Sequence, residues 1–108
     1  MTIKDIKKVL SEFKADLKTL FLGIKGIYLY GSVARNQHTS ESDIDILIIT
    51  DETLSGINEE KILGMAYETG LKYNCVFGVV VCSVQSWDRL KKLGSPFYGE
   101  VQKEAVKI

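Results

Sequence analysis

The stretches Tyr30-Gly31-Ser32-Val33-Ala34-Arg35 and Ser42-Asp43-Ile44-Asp45-Ile46 decide how this sequence folds. The first ends an apolar strand predicted over Ile27–Tyr30, and the second opens a β-branched strand predicted over Asp43–Ile49. Side chains two positions apart on a strand project from the same face, so Asp43 and Asp45 place their carboxylates side by side. Because two adjacent anions repel each other, a hard divalent cation with oxygen ligands is the simplest compensating charge.

The residues after the first strand provide groups that bind a phosphate. Gly31, at the strand end, lets a phosphate approach the backbone, and a helical turn predicted over Val33–Asn36 directs free N–H groups at the anion. The Ser32 hydroxyl adds a further donor. Arg35 can contact the same phosphate or form a surface ion pair with Glu41, and the sequence leaves both open.

Helices and strands alternate along the rest of the chain. Apolar residues at steps of three and four predict an amphipathic helix over Thr2–Phe21. The later elements are a helix over Glu59–Leu71 capped by Asn58, a strand over Cys75–Cys82, a helix around Trp87 capped by Ser83 or Ser86 and ended by Gly94, and a last helix opened by Ser95-Pro96.

Three strands interleaved with helices predict an α+β (α/β) fold, a small mixed sheet covered by helices. Strand directions stay open, because the connection from Tyr30 to Asp43 suits parallel or antiparallel pairing.

Length and composition bound the possible functions. The 108 residues predict one domain over 1–108, and 45% hydrophobic with 26% charged residues is typical of a globular protein. Fourteen basic and fourteen acidic residues cancel, so nucleic-acid binding is not indicated. The longest apolar runs are four residues, far below the ~20 of a membrane span, and the start of the chain lacks the apolar region of a secretory signal. A cytoplasmic location is therefore expected.

The ordered pair of motifs, Tyr30-Gly31-Ser32 followed by Ser42-Asp43-Ile44-Asp45-Ile46, resembles the signature of the DNA polymerase β-like nucleotidyltransferase superfamily. The short length of the chain is similar to that of the superfamily's minimal nucleotidyltransferase branch. The resemblance extends to the first helix, to Ala34-Arg35, to the Val79–Trp87 segment and to the closing Ser95-Pro96-Phe97-Tyr98 and Lys103-Glu104.

This resemblance implies the superfamily's fold and its chemistry. A nucleoside monophosphate, here AMP from ATP, would pass to a macromolecular acceptor with release of pyrophosphate. Matching by position, Gly31 and Ser32 would hold the β- and γ-phosphates with help from Arg35. Asp43 and Asp45 would be the catalytic ligands of two Mg²⁺ ions.

The resemblance also implies a partner. Minimal members of this branch often pair with a helical HEPN-type protein encoded beside them and act as an antitoxin that modifies it. A domain this small is expected to borrow its acceptor-binding surface from such a partner or from a second copy in a homo-oligomer.

One superfamily feature is missing, namely a third carboxylate on a neighbouring strand. The predicted strand Cys75–Cys82 has no acidic residue, and matching by position puts Val76 or a nearby residue there. Glu68 and Asp88 are the candidate substitutes from outside the strand. Loss of general-base assistance costs about 10²–10⁴-fold in rate. A second hypothesis therefore stays open: a catalytically weak or inactive binding module that neutralises a partner protein by contact.

Overall fold

The computed structural model describes residues 3–37, 39, 43–51 and 56–108. Helices and strands alternate along them: α1 (Ile3–Leu20), β1 (Ile24–Tyr30), α2 (Gly31–Ala34), β2 (Ile44–Thr50), α3 (Gly56–Tyr73), β3 (Phe77–Ser83), α4 (Val84–Lys92), α5 (Pro96–Glu104) and β4 (Val106–Lys107). This arrangement confirms the predicted fold class. None of the helices in these residue ranges is long and apolar enough to cross a membrane.

The four strands form one mixed sheet in the order β3-β2-β1-β4. β1 is antiparallel to both β2 and β4, whereas β2 and β3 are parallel and are joined by the crossover helix α3. The connection from Tyr30 to Asp43 therefore links antiparallel strands, which the sequence left open. As a result, the end of β1 lies beside the start of β2.

Helices α1 and α3 cover one face of the sheet. The amphipathic spacing of α1 buries Phe13 completely, and its ring stacks on Phe77 of β3 with centroids 5.3 Å apart. Burying each large apolar side chain contributes roughly 1.5–3 kcal/mol. The buried residues of this core are Ile6, Leu10, Phe13 and Leu17 from α1, Ile27 from β1, Val33 from α2, Ile44, Ile46 and Ile48 from β2, and Ile62 and Ala66 from α3.

The opposite face of the sheet carries a smaller apolar cluster under α4 and α5. Leu47 and Ile49 of β2 point into it with Val101 of α5, and Trp87 of α4 packs edge-on against Phe97 at 6.0 Å. Strand alternation puts Asp45 on the same face as Leu47 and Ile49. The covering helices are short, and they leave a cavity of about 320 Å³ lined by Tyr28, Leu47, Ile49, Trp87, Val101, Gln102 and Ala105.

Serine side chains cap the starts of α4 and α5, whereas a third predicted cap is wrong. Ser83 Oγ accepts the Ser86 N–H at 3.1 Å and caps α4, so Ser83 rather than Ser86 is the cap. Ser95 caps α5, ahead of Pro96 in the first helical turn. The prediction that Asn58 caps the middle helix is wrong, because α3 begins at Gly56. First-turn N–H groups have no intrahelical acceptor, so a polar Asn is tolerated there as well as at the cap.

Candidate active site

The two sequence motifs meet at one corner of the sheet. The antiparallel register pairs Tyr30 with Asp45, so Gly31, the next residue, lies against the Asp45 carboxylate. A Cβ added to Gly31 would overlap with Asp45 Oδ2, and Gly31 has a φ of +75°. Glycine is therefore required here both for space and for a left-handed backbone conformation.

A second glycine borders the same carboxylate from β3. The parallel register places Gly78 beside Asp45, and a Cβ at Gly78 would lie 2.9 Å from Asp45 Oδ1. The strand residue next to Asp45 is thus Gly78 rather than Val76, which lines a groove with Tyr67 and Leu71 of α3. The neighbouring strand offers no carboxylate at this corner.

Negative charge accumulates around Asp45. Burial, followed by the charge of Asp43, raises the pKa of the half-buried Asp45 carboxyl, and Glu104 raises it further while Arg35 lowers it. Asp43 itself is exposed and directly precedes β2. The repulsion expected from the Asp-x-Asp spacing is therefore present.

Arg35 forms its ion pair with a residue that the sequence motifs did not single out as functional. Its Nη1 lies 2.9 Å from Glu104 Oε2 at the end of α5, and its Nε donates to Gln37 Oε1 at 3.2 Å. The alternative partner Glu41 is outside the described residues. Glu104 Oε1 also accepts the backbone N–H of Gly31 at 3.1 Å. The Arg35 guanidinium, followed by the Gly31 N–H, holds the pKa of the Glu104 carboxyl below its usual value despite some burial.

Ser32, the other predicted phosphate-binding residue, lies in α2 next to Gly31. Its backbone oxygen accepts the Gln37 N–H at 2.9 Å.

The two candidate substitutes for the missing carboxylate lie elsewhere. Glu68 is an exposed residue of α3, the helix on the opposite face of the sheet from Asp45. Asp88 forms a surface ion pair with Lys92 at 2.9 Å. Neither Glu68 nor Asp88 is among the groups whose charge acts on Asp45; besides Asp43, the acid that does so is Glu104.

The chemistry of the corner suits Mg²⁺. Asp43 and Asp45 offer the carboxylate oxygens that this hard cation prefers, and the nearby guanidinium of Arg35 is already shared with Glu104. In the part of the chain that the structure describes, no group of three or more Asp, Glu, His or Cys side chains could hold a metal by itself. Water and phosphate oxygens would have to complete the coordination, as is usual for Mg²⁺.

Comparison with known proteins places this corner in a family context. Residues 10–95 match the model of the nucleotidyltransferase domain. A candidate protein adenylyltransferase of Methanocaldococcus jannaschii, MJ0604, is 35% identical over 99 residues, which cover 91% of this chain and 92% of that protein. A second candidate from the same organism, MJ0141, is 28% identical over 96% of this chain and 99% of that protein. Spectinomycin 9-adenylyltransferase of Campylobacter jejuni is 43% identical over 51% of this chain and 22% of its own length.

Solved structures share the fold at low sequence identity. A toxin–antitoxin crystallised with AMP-PNP superposes with a TM-score of 0.57 and 18% identity, covering 99% of this chain and 72% of that chain. A mutant of the MntA-HpeT toxin–antitoxin gives a TM-score of 0.54 and 20% identity over 100% of this chain and 72% of that chain. At these identities the likeness concerns the fold alone.

Proposed function

Because the chain belongs to the nucleotidyltransferase domain family, we propose that it transfers AMP from ATP to a macromolecular acceptor. The observation that carries this proposal is the contact between Gly31 and the Asp45 carboxylate at the corner of β1 and β2. This contact joins a backbone that a phosphate can approach with carboxylates that can bind a cation. The adenylyltransferase names of the relatives favour ATP as the nucleotide.

Each residue of the corner has a role in this proposal. Gly31, Ser32 and Arg35 bind and orient the β- and γ-phosphates, through the backbone N–H, the hydroxyl and the guanidinium. Asp43 and Asp45 would hold two Mg²⁺ ions, which would supply positive charge to the phosphate oxygens. Phosphoryl transfer depends mainly on positioning and charge neutralisation, which are what these groups supply.

The bonds change in one displacement. An acceptor hydroxyl oxygen bonds to the α-phosphorus, and the bond from that phosphorus to the bridging oxygen breaks. Pyrophosphate leaves, and the hydroxyl proton passes to solvent, because Gly78 provides no base beside Asp45. We therefore expect slow turnover, since general-base catalysis is typically worth about 10²–10⁴-fold.

The proposed acceptor is a hydroxyl-bearing side chain of a HEPN-type partner protein, for which this chain acts as the antitoxin. Two observations support this part of the proposal. The relatives that span almost the whole chain are named as protein adenylyltransferases. Two solved structures with the same fold are named as toxin–antitoxin structures.

The second candidate function is neutralisation of the same partner by contact alone. The observation that favours it is Gly78, since the strand beside Asp45 contributes no third carboxylate. In this case Asp43 and Asp45 would be dispensable for neutralisation.

Calorimetric titration of ATP, with and without Mg²⁺, tests the proposed site. Wild type is compared with the double variant Asp43→Asn/Asp45→Asn and with the control Asp51→Asn. Asp51 follows the other end of β2 and pairs with Lys25 at 3.2 Å, so its variant removes a carboxylate far from the corner. We expect Mg²⁺-dependent binding by wild type and Asp51→Asn, and none by the double variant. Equal binding by all three proteins would reject the site.

Transfer and neutralisation are then measured with the partner protein. Incubation with α-labelled ATP should label the partner only when Asp43 and Asp45 are intact. A double variant that labels nothing yet suppresses the partner's toxicity as fully as wild type would favour the contact-only function.

A further inference from the structure

Glu104 makes the two contacts at this corner that an incoming phosphate would need. One carboxylate oxygen accepts the Gly31 N–H at 3.1 Å, and the other lies 2.9 Å from the Arg35 guanidinium. The Glu104 side chain is only 18% exposed, against 45% for Arg35. Glu104 is therefore the less exposed member of the pair, and its carboxylate occupies both donors.

A carboxylate and a phosphate compete for such donors. Both are anions that accept charge-assisted hydrogen bonds, and the single Gly31 N–H cannot donate a good bond to both at once. Glu104 also adds charge repulsion, because Glu104, Asp45 and Glu100 are three carboxylates whose charges act on the one guanidinium of Arg35. Occupation of Gly31 and Arg35 by Glu104 thus opposes a triphosphate in two ways.

We propose that Glu104 is a competitor built into the fold, which occupies Gly31 and Arg35 in the nucleotide-free protein and is displaced when a nucleoside triphosphate binds. This inference rests on the proposed function and adds a regulatory element to the same site. Glu104 is the last residue of α5, and the backbone at Ala105 is already extended. A change of side-chain rotamer suffices to release the carboxylate, with the helix in place.

The position of Glu104 gives the competition a wider consequence. α5 also packs Val101 and Phe97 against the sheet, so any partner that moves α5 would move Glu104 as well. Nucleotide affinity and the position of α5 are therefore coupled, and the coupling is reciprocal.

The test compares Glu104→Gln with the control Glu100→Gln. The amide introduced by Glu104→Gln keeps the size of the side chain and an acceptor for the Gly31 N–H but loses the ion pair with Arg35. Glu100, on the same helix, acts on Arg35 through its charge, so the control removes the same formal charge. Calorimetry measures the Kd of ATP with Mg²⁺, and of inorganic tripolyphosphate without metal.

We expect Glu104→Gln to bind both ligands about tenfold more tightly than wild type, because an ion-paired hydrogen bond no longer has to be broken. Glu100→Gln should stay within about twofold. Equal or weaker binding by a folded Glu104→Gln protein would overturn the inference, since a purely structural role for Glu104 predicts loss of affinity.

A second measurement uses the wild-type chain and needs no variant. In an NMR titration of ¹³C,¹⁵N-labelled protein, the ¹³C signal of the Glu104 side-chain carboxyl should shift together with the amide ¹H–¹⁵N signal of Gly31 as tripolyphosphate is added. A Gly31 shift without a Glu104 shift would contradict displacement. If ATP binds wild type and Glu104→Gln equally, the inference alone fails, whereas no binding to either protein rejects the proposed nucleotide site as well.

Discussion

Gly31 leaves no room for a side chain between its backbone and the Asp45 carboxylate. Its φ of +75° turns the chain sharply at the end of β1. Asp45 Oδ2 occupies the position that a Cβ of residue 31 would take. The same glycine donates its N–H to Glu104. One residue thus fixes the relative positions of two carboxylates.

Replacement of Gly31 by alanine should therefore damage both stability and binding. The left-handed backbone alone costs an alanine about 1–2 kcal/mol, and the added methyl group must also displace Asp45. We expect the free energy of unfolding in urea to fall by at least this amount and Mg²⁺-dependent ATP binding to be lost. The control is Gly64→Ala in α3, where nothing lies within 4 Å and alanine should stabilise the helix by about 0.5–1 kcal/mol.

Replacement of Gly78 by alanine should separate binding from folding. A Cβ at this position would lie 2.9 Å from Asp45 Oδ1, the end of a side chain that can rotate away. We expect little change in urea stability, and a loss of about tenfold or more in the affinity for Mg²⁺ with ATP, as Asp45 leaves its position. Unchanged affinity in Gly78→Ala would show that the site tolerates a displaced Asp45 carboxylate.

The unfolding free energy should depend on pH through Asp45. Burial and Asp43 raise the pKa of this carboxyl in the folded state, so protonation of Asp45 is more favourable in the folded protein than in the unfolded chain. Protonated Asp45 contributes to the free energy of unfolding in full below the pKa of the unfolded chain, about 3.9. This contribution is lost as pH rises through the higher pKa of the folded protein. At neutral pH without metal, the charged carboxylate is therefore destabilising.

Asp45→Asn removes this penalty while it removes a proposed metal ligand. In EDTA, the free energy of unfolding of the variant minus that of wild type should increase between pH 3 and pH 7. Mg²⁺ should reduce this difference, because it stabilises wild type alone. Urea unfolding at both pH values checks this. If metal-free wild type were more stable than Asp45→Asn at pH 7, the charged Asp45 carboxylate would not be destabilising and the prediction would be wrong.

The cap of α4 offers a stability test away from the corner. Ser83 is buried, and its Oγ accepts the Ser86 N–H at 3.1 Å. Ser83→Ala should lower the free energy of unfolding by about 1 kcal/mol, whereas Ser86→Ala keeps the backbone donor and should have a smaller effect. Thermal unfolding of the two variants gives the comparison. Equal losses would mean that the hydrogen bond from the Ser83 hydroxyl to Ser86 Oγ, at 3.1 Å, dominates instead.

Much of the fold was predictable because its signals are local. The periodic apolar residues of α1 and the β-branched run of β2 each carry their pattern within one segment, and both elements were placed to within two residues. The two-residue strand β4 could not be predicted, since it forms only by pairing Val106 and Lys107 with β1. The start of α3 was misplaced for a related reason, because Asn58 suits a first turn as well as a cap.

The corner itself was predictable only in part. Gly31 and Asp45 belong to one motif, and the antiparallel pairing of their strands brings them together. Glu104 belongs to the closing segment that resembles the superfamily, but nothing in the sequence around it marks a contact with Gly31 or Arg35, because that contact forms only when α5 docks. The ion pair with Arg35 is a product of tertiary structure, whereas Glu41 was a candidate through sequence proximity alone.

The hydrogen bond from Gly31 to Glu104 spans 73 positions of the chain, and this distance orders events during synthesis. A ribosome releases the β1–β2 pair well before α5, so Gly31 and Arg35 emerge without the carboxylate that later closes the corner. Contacts between distant parts of a chain also form late in folding, because they require closure of a long loop. The nascent protein therefore passes through a stage in which Gly31 and Arg35 are not yet bound by Glu104, and that stage ends only when α5 docks.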